Sequence, residues 1–138
     1  MSKPEVDVRL WLDYAQEDLR SAEALLDSEN APARHACWHA QQAAEKAIKA
    51  ALIFSANDYP RIHDLDTLRN LLPADWQLKQ SHPKLRSLTE WAVEARYPGP
   101  WPAASKDEAE RCVQLAKEVL ESVLGDLSAR GLQAAPGS

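Results

Sequence analysis

Residues 33–55 read ARHACWHAQQAAEKAIKAALIFS and give the clearest indication of the fold class. It holds neither Gly nor Pro and is rich in Ala, the residue with the highest helix propensity, so it predicts a long helix from Ala33 to Ser55. At about 100° per residue, small or apolar residues fall on one arc and polar residues on an adjacent stripe. The arc consists of Ala36, Ala40, Ala43, Ala47, Ala50 and Phe54, and the stripe of His35, His39, Gln42, Lys46 and Lys49. The small residues predict close packing of another helix against the arc.

The rest of the chain predicts three or four further helices. Each candidate segment has apolar residues at three- and four-residue spacing and begins at a capping residue. The expected spans are about 6–27 with a cap at Ser2 and a start near residue 3, Asp64–Leu72, Ser81 to a point before Pro98, and Ser105 to about Leu127, whereas residues 76–80 are ambiguous. The sequence therefore predicts an all-α protein, an up-and-down bundle of four to five mostly antiparallel helices.

Length and composition bound the class of protein. The 138 residues suit one domain, which we expect over residues 1–130, with a disordered tail over residues 131–138. With 45% hydrophobic and 27% charged residues, and no run of roughly 18 apolar residues, the chain has the pattern of a soluble protein rather than a membrane protein. The first residues show no secretory signal, which predicts a cytoplasmic location. The net charge of -5 argues against a nucleic-acid binder that uses its whole surface, but a local basic site stays open.

Cysteine and histidine spacing gives no sign of a metal site. Cys37 and Cys112 lie far apart in the sequence and form neither a disulfide framework nor a four-ligand zinc site, so we expect two core thiols. His35 and His39 have the i,i+4 spacing of a metal pair, but no carboxylate or third His stands at matching spacing. We therefore expect no metal.

The segment from His39 to Lys49 is the most unusual in chemistry. It carries an imidazole, two amides, a carboxylate and two ammonium groups on a helix whose other faces are apolar. Buried charges need partners, and Asp18, beside the apolar side of the first helix, is the candidate counter-charge. One interpretation is that Asp18, Gln42 and Lys46 form a structural network between two helices. The other is that the stripe lines a binding cleft.

Two other places supply groups to such a cleft. Arg96 and Tyr97 precede a proline cluster, where Arg suits a phosphate and Tyr a base, although an Arg there also caps a helix end. His63 stands beside the cap of the third helix and either fixes that loop or faces the cleft. The candidate nucleotide-binding residues are His39, Lys46, Lys49, His63, Arg96 and Tyr97.

Taken in order, four segments resemble the HEPN domain family, whose name denotes higher eukaryotes and prokaryotes nucleotide-binding. They are Tyr14–Ala22, His39–Ala50, His63–Leu65 and Ala95–Pro98. The resemblance implies a bundle of four to five helices that is usually dimeric, is associated with nucleotide binding, and is often encoded beside a minimal nucleotidyltransferase with which it forms a toxin-antitoxin-like pair. We expect no cofactor.

Some members of that family are metal-independent ribonucleases with an Arg-x(4–6)-His motif late in the bundle. Counting on from Arg96, residues 100–102 are Pro-Trp-Pro, so the expected His is missing. The pair with that spacing is Arg34 with His39, which lies on the second helix. We therefore expect a non-catalytic subunit that binds nucleotide or a nucleotidyltransferase. The alternatives are an interaction module without a ligand and a ribonuclease toxin that uses Arg34 and His39, or His39 with Arg96 across a dimer.

Overall fold

Seven helices and no strand make up the described part of the chain. The computed structural model describes residues 2–94, 98–100 and 103–132. Its helices are α1 (Lys3–Asp27), α2 (Ala33–Phe54), α3 (Leu65–Asn70), α4 (Gln77–Ser81), α5 (Arg86–Thr89), α6 (Trp91–Glu94) and α7 (Lys106–Ala129). The prediction of an all-α bundle is confirmed.

The three long helices α1, α2 and α7 form the frame of the bundle. Helix α2 packs against both of the others, because its arc of small residues lets them approach closely. The arc residues Ala36, Ala40, Ala43, Ala47 and Ala50 are fully buried, as predicted. The short connection 28–32 joins α1 to α2, and the four short helices α3 to α6 lie between α2 and α7 in the sequence. No helix among the described residues is long and apolar enough to cross a membrane.

Capping residues identified in the sequence begin three helices. The Ser2 hydroxyl accepts a hydrogen bond from the Glu5 amide at 3.3 Å, and the Ser105 hydroxyl accepts one from the Glu108 amide at 3.0 Å. At α3 the Asp64 carboxylate accepts the Thr67 amide at 3.1 Å. These interactions satisfy amides that have no partner inside the helix.

The predicted start of a fourth helix at Ser81 is wrong. Ser81 is the last residue of α4, and the next residue, His82, has a positive φ of 47° that ends the helix. The following helix, α5, begins only at Arg86. The physical reason is tertiary, because the Asp126 carboxylate on α7 accepts the first amide of α4, that of Gln77, at 2.9 Å.

Cys37 on α2 and Cys112 on α7 are both free and buried, which confirms the prediction of core thiols. The interaction with the neighbouring Cys112 thiol and burial together raise the pKa of Cys37, so its thiol remains a neutral group of the core.

The last turns of α2 and α7 have the same C-terminal motif with different residues. After α2 the Asn57 amide donates to the Leu52 carbonyl at 3.0 Å, and after α7 the Leu132 amide donates to the Leu127 carbonyl at 3.0 Å. Both are Schellman motifs, which require a residue with positive φ. That residue is Gly131 after α7, with φ 95°, but Ala56 after α2, with φ 58°. Gly131 and Leu132 open the predicted tail, and residues 133–138 lie outside the described residues.

We expect Ala56→Gly to raise the free energy of unfolding by about 0.5–1 kcal/mol. Left-handed backbone costs an Ala roughly 1–2 kcal/mol that Gly does not incur, and the greater chain entropy of Gly offsets part of the gain. Urea unfolding followed by circular dichroism measures the difference. The control is Ala24→Gly in the exposed interior of α1, which should lower stability by about 0.5–1 kcal/mol. Destabilisation by both substitutions would contradict the argument.

Candidate functional site

One carboxylate from α1 holds two polar groups of α2. Asp18 Oδ1 accepts a hydrogen bond from His39 Nδ1 at 3.0 Å, and Asp18 Oδ2 accepts one from Lys46 Nζ at 2.5 Å. The Lys46 ammonium also lies 5.9 Å from the ring centroid of Tyr14, within cation-π distance. We name Asp18, His39, Lys46 and Tyr14 the Asp18 cluster. The three charged or imidazole side chains are 13 to 28% exposed, so solvent reaches them from one side.

A second carboxylate, on α2 itself, makes the same kind of arrangement. Glu45 Oε1 accepts from His63 Nδ1 at 2.7 Å and from Gln41 Nε2 at 2.9 Å, and Glu45 Oε2 accepts from Lys49 Nζ at 3.0 Å. Gln42 extends this set by donating to Gln41 Oε1 at 2.6 Å. We name these five residues the Glu45 cluster. The Glu45 side chain is only 6% exposed, whereas that of His63 is 49% exposed.

Aromatic rings enclose the Lys49 ammonium. It lies 5.8 Å from the ring centroid of Trp11 and 5.5 Å from that of Tyr59, and these two rings meet edge to face at 6.4 Å. The Lys49 side chain is 9% exposed. Glu45 neutralises the Lys49 charge and the two rings cover it. Lys49 therefore contacts other residues of the protein rather than a ligand, and it positions the Glu45 carboxylate.

The Glu45 carboxyl stays ionised although it is buried. Burial by itself raises its pKa, but hydrogen bonds from His63, Gln41 and Lys49 outweigh burial and hold the pKa below its ordinary value. An ionised carboxylate here keeps its acceptor oxygens directed at the imidazole and the ammonium. The charge of Glu45 is therefore part of the site at neutral pH.

The two clusters share one chemical plan. In each, one oxygen of a carboxylate accepts a hydrogen bond from Nδ1 of a histidine, and the other oxygen accepts one from a lysine ammonium. A carboxylate on Nδ1 fixes the tautomer and orientation of the ring, which leaves Nε2 as the nitrogen that meets an outside group. A ring held in this way can accept a proton or, once protonated, donate a hydrogen bond to a phosphate.

The structure joins the predicted site residues in two pairs. His39 and Lys46 meet at Asp18, and Lys49 and His63 meet at Glu45. Arg96 and Tyr97 lie outside the described residues.

The predicted Asp18–Lys46 contact is present, but Gln42 of that network belongs to the Glu45 cluster instead. Sequence reasoning missed the roles of Glu45 and Gln41. The signal that could have identified them is the i,i+4 spacing of Gln41, Glu45 and Lys49, which places the three side chains next to one another on one helix face.

Arg34 does not join His39. It is exposed in the first turn of α2, and five residues of helix separate the two side chains by about 140° around the axis. His35 is exposed as well, and no group of three metal-ligating side chains occurs among residues 2–94, 98–100 and 103–132.

The fold and the site define an all-helical bundle in which α2 meets α1 at one carboxylate-held imidazole, His39, and meets the loop that follows α2 at another, His63. A model of the HEPN domain family matches residues 8–127 of the chain. A protein of Methanocaldococcus jannaschii named "Putative toxin MJ1304" is 32% identical over 130 residues, which cover 83% of this chain and 84% of that protein. The chain belongs to the HEPN domain family.

Two solved structures are similar over most of their length. The crystal structure of TT1696 from Thermus thermophilus has a TM-score of 0.72 and 30% sequence identity, covering 87% of this chain and 98% of that one. The structure of ST0689, described as an archaeal HEPN homologue, has a TM-score of 0.65 and 27% identity, covering 86% of this chain and 95% of that one. These similarities agree with the family match.

Proposed function

We propose that this chain is the HEPN subunit of a toxin-antitoxin-type pair and binds a nucleotide through its phosphates. The observation that carries the proposal is the pair of carboxylate-held imidazoles, His39 on Asp18 and His63 on Glu45. The family match and the toxin name of the Methanocaldococcus relative support the cellular role.

The binding surface in this proposal combines the partly exposed groups of both clusters with the end of the fourth predicted helix. His39, Lys46 and His63 meet the phosphates, and Arg96 adds a bidentate fork while Tyr97 stacks on the base. Lys49 belongs to the site as a positioning residue, because its ammonium is buried against Glu45.

A mononucleotide suits this surface better than a long nucleic acid. Binding along a polymer requires several unpaired cations spread over a face, because its affinity comes from neutralising many phosphates. Here Lys46 and Lys49 are already paired with carboxylates, and the chain carries a net charge of -5. The groups that remain available for binding phosphate lie in one small area, which suits one phosphate group or a short run of them.

We further propose the biological setting of this subunit. Residues 1–130 act as one domain in the cytoplasm, as a homodimer, beside a minimal nucleotidyltransferase partner. The family match supports this setting. Identification of the neighbouring reading frame in the genome tests the partner, and co-purification of the two chains tests the complex.

Calorimetric titration with ATP, GTP and a short RNA tests the binding site. We expect a nucleotide to bind the wild type, and His39→Ala and Arg96→Ala each to weaken it by roughly tenfold, the effect of losing one charge-assisted hydrogen bond. The matched control is His35→Ala, which removes an exposed imidazole from the same helix and should leave the affinity unchanged. Absence of heat with every ligand at protein concentrations near 100 µM would refute nucleotide binding.

The structure also keeps a ribonuclease as a second candidate. His39 with Nδ1 on Asp18 has the geometry of a general base, which cleavage through the RNA 2'-hydroxyl requires. Arg34 points elsewhere within one subunit, so the phosphate-binding cation would come from Arg96 or from a second subunit. Toxicity on overexpression that disappears in a folded His39→Ala variant would support this activity, and normal growth with the wild type would count against it.

The third candidate function is an interaction module that binds no ligand. In that case Lys46→Met would change the melting temperature or the oligomeric state, and the wild type would show no ligand in any titration.

A further inference from the structure

A pair of free thiols lies in the core between α2 and α7, apart from the proposed binding surface. Cys37, in the second turn of α2, is fully buried, and Cys112, in the second turn of α7, is 5% exposed. Both belong to the hydrophobic core. Such a pair has a chemistry that a single thiol lacks, because two adjacent sulfurs give up two electrons together when they form one bond.

The two helices place these cysteines at nearly the same level of the bundle. Ala33 and Lys106, the first residues of α2 and α7, line the same cavity, so the two helices start side by side. From there α2 and α7 pack against each other. At 1.5 Å per residue, Cys37 lies about 6 Å along α2 and Cys112 about 9 Å along α7. The two thiols therefore differ in level by only about 3 Å.

Alanines beside both cysteines allow the helices to approach closely. Ala40 follows Cys37 by about one turn of α2 and is fully buried. Ala109 and Ala116 stand about one turn before and after Cys112 on α7, and both are fully buried as well. Helices that pack through small residues come to about 8 Å between axes, with each Cα about 2.3 Å from its axis. Facing cysteines at this spacing have Cα atoms about 4.5–5 Å apart, inside the range that a disulfide bridges.

The two thiols also act on each other's ionisation. Interaction with the Cys112 thiol and burial raise the pKa of Cys37, whereas interaction with the Cys37 thiol lowers the pKa of Cys112 although burial opposes it. Cys112 is therefore the member of the pair that ionises first, and Cys37 keeps its proton. A thiolate is the form of cysteine that reacts with an oxidant.

We propose that Cys37 and Cys112 form a redox site, in which a peroxide joins the two sulfurs in a disulfide that ties α2 to α7. The Cys112 thiolate attacks an oxygen of hydrogen peroxide, the O–O bond breaks, and Cys112 becomes a sulfenic acid while hydroxide leaves and takes up the proton that Cys112 released. The Cys37 sulfur then attacks the Cys112 sulfur, and the sulfenic oxygen leaves as water with the Cys37 proton. Two thiols thus give two electrons to one peroxide, which becomes two molecules of water. A dithiol reductant reverses the reaction by thiol–disulfide exchange.

This redox site stands apart from the nucleotide-binding proposal. Cys37 and His39 lie about 160° apart around the axis of α2, so the disulfide forms on the side away from the Asp18 cluster. In a reducing compartment the two thiols rest in the reduced form, and the disulfide forms when the chain meets peroxide. Failure of nucleotide binding would leave this inference untouched, and the reverse holds as well.

Oxidation of the intact wild-type chain tests the disulfide. We expect hydrogen peroxide to remove both thiols counted with dithionitrobenzoate in denaturant, and to lower the mass of the chain by about 2 Da. Peptide mapping should show Cys37 linked to Cys112, and dithiothreitol should restore both thiols. The bond closes a loop of about 75 residues, so the oxidised chain should melt about 5–10 °C above the reduced chain.

The single variants Cys37→Ala and Cys112→Ala are the matched controls. Each keeps one thiol, so peroxide should neither lower its mass by about 2 Da nor raise its melting temperature, because a disulfide within the chain requires both sulfurs. The comparison of oxidised with reduced wild type involves no substitution, so the test stands even where an alanine loosens the core.

Each contrary result overturns a stated part of the inference. Two thiols that remain free after excess peroxide overturn the redox site. A sulfinic acid on one cysteine without a link overturns the pairing, and a disulfide between two chains, seen as a doubled mass on a non-reducing gel, overturns the contact within one chain. A disulfide that forms without a higher melting temperature overturns the tie between α2 and α7.

Discussion

Replacing Glu45 with Leu is expected to lower the free energy of unfolding by about 3–5 kcal/mol. The substitution leaves the Lys49 ammonium, whose side chain is 9% exposed, without its counter-ion, and it also removes the acceptor of Gln41 and His63. An uncompensated buried charge costs this much, whereas an intact buried pair contributes little net stability. Urea unfolding at pH 7, compared between wild type and variant, measures the difference.

The double variant Glu45→Leu/Lys49→Met shows whether Glu45→Leu destabilises the fold because it leaves the Lys49 ammonium unpaired or because the carboxylate itself is lost. It removes both charges and keeps apolar volume beside Trp11 and Tyr59, so we expect it to recover most of the stability that Glu45→Leu alone loses. The control is Glu90→Leu. It breaks the surface ion pair between Arg86 Nε and Glu90 Oε1, which lie 3.6 Å apart, and the Glu90 side chain is 52% exposed. This substitution should cost less than about 0.5 kcal/mol. Equal losses in the single and double variants would contradict the buried-pair argument.

The pH dependence of the same comparison has a definite sign. Because the pKa of Glu45 is lower in the folded chain than its ordinary value of 4.5, the folded state favours the ionised carboxyl. Its contribution is present in full above about pH 4.5 and is lost as the pH falls through the folded pKa. The stability difference between wild type and the double variant should therefore shift against the wild type as the solution is acidified below that point. His63 and Lys49 are the charged or titratable neighbours hydrogen-bonded to this carboxyl.

The double variant also tests what the Glu45 cluster does for binding. It keeps His63 but removes the oxygen that holds its Nδ1, so a stable double variant with weaker nucleotide binding would show that Glu45 orients the imidazole. Unchanged affinity would assign the cluster to stability alone.

The sequence predicted those parts of the fold that depend on local patterns. The Ala-rich arc of α2 and the caps at Ser2, Asp64 and Ser105 concern neighbouring residues of one helix, and the structure has them as expected. The region of α4 to α6 was not predicted well, because distant residues decide it. Asp126 on α7 caps α4, and the hydrophobic pattern around residue 77 gives no indication of a contact with a residue so distant in the sequence.

The same distinction separates the predicted and unpredicted parts of the site. Asp18 could be found because its position on the α1 face follows from helical geometry, and it does pair with Lys46. The approach of His63 to Glu45 depends on the path of the loop after α2, which sequence spacing does not fix. The burial of Lys49 depends on Trp11 and Tyr59, which come from two other segments.

Arg69→Leu is the second substitution expected to have a large effect, lowering the free energy of unfolding by about 3–5 kcal/mol. Arg69 is only 2% exposed and donates to Asp66 Oδ1 at 2.6 Å, to the carbonyl of Pro83, and to Asn70 Oδ1 at 3.2 Å. Its guanidinium also meets Nε2 of His82 at 3.1 Å. Leucine removes the charge-assisted hydrogen bonds to the partly buried Asp66 carboxylate and Pro83 carbonyl, each worth about 1.5–3 kcal/mol, and this loss exceeds the gain from an apolar side chain.

Arg69→Lys should not restore the lost stability, and this expectation separates shape from charge. One ammonium has its donors on a single atom, whereas the planar guanidinium spreads five N–H groups over the acceptors on α3 and in the 82–83 turn. The control is Arg86→Leu, at an arginine that is 88% exposed, which should change stability by less than about 0.5 kcal/mol. If Arg69→Lys were as stable as the wild type, the charge alone would hold α3 to the turn. If Arg69→Leu and Arg69→Lys both lower the free energy of unfolding while Arg86→Leu leaves it unchanged, the planar geometry of the Arg69 guanidinium fixes the path of the chain from α3 to α5.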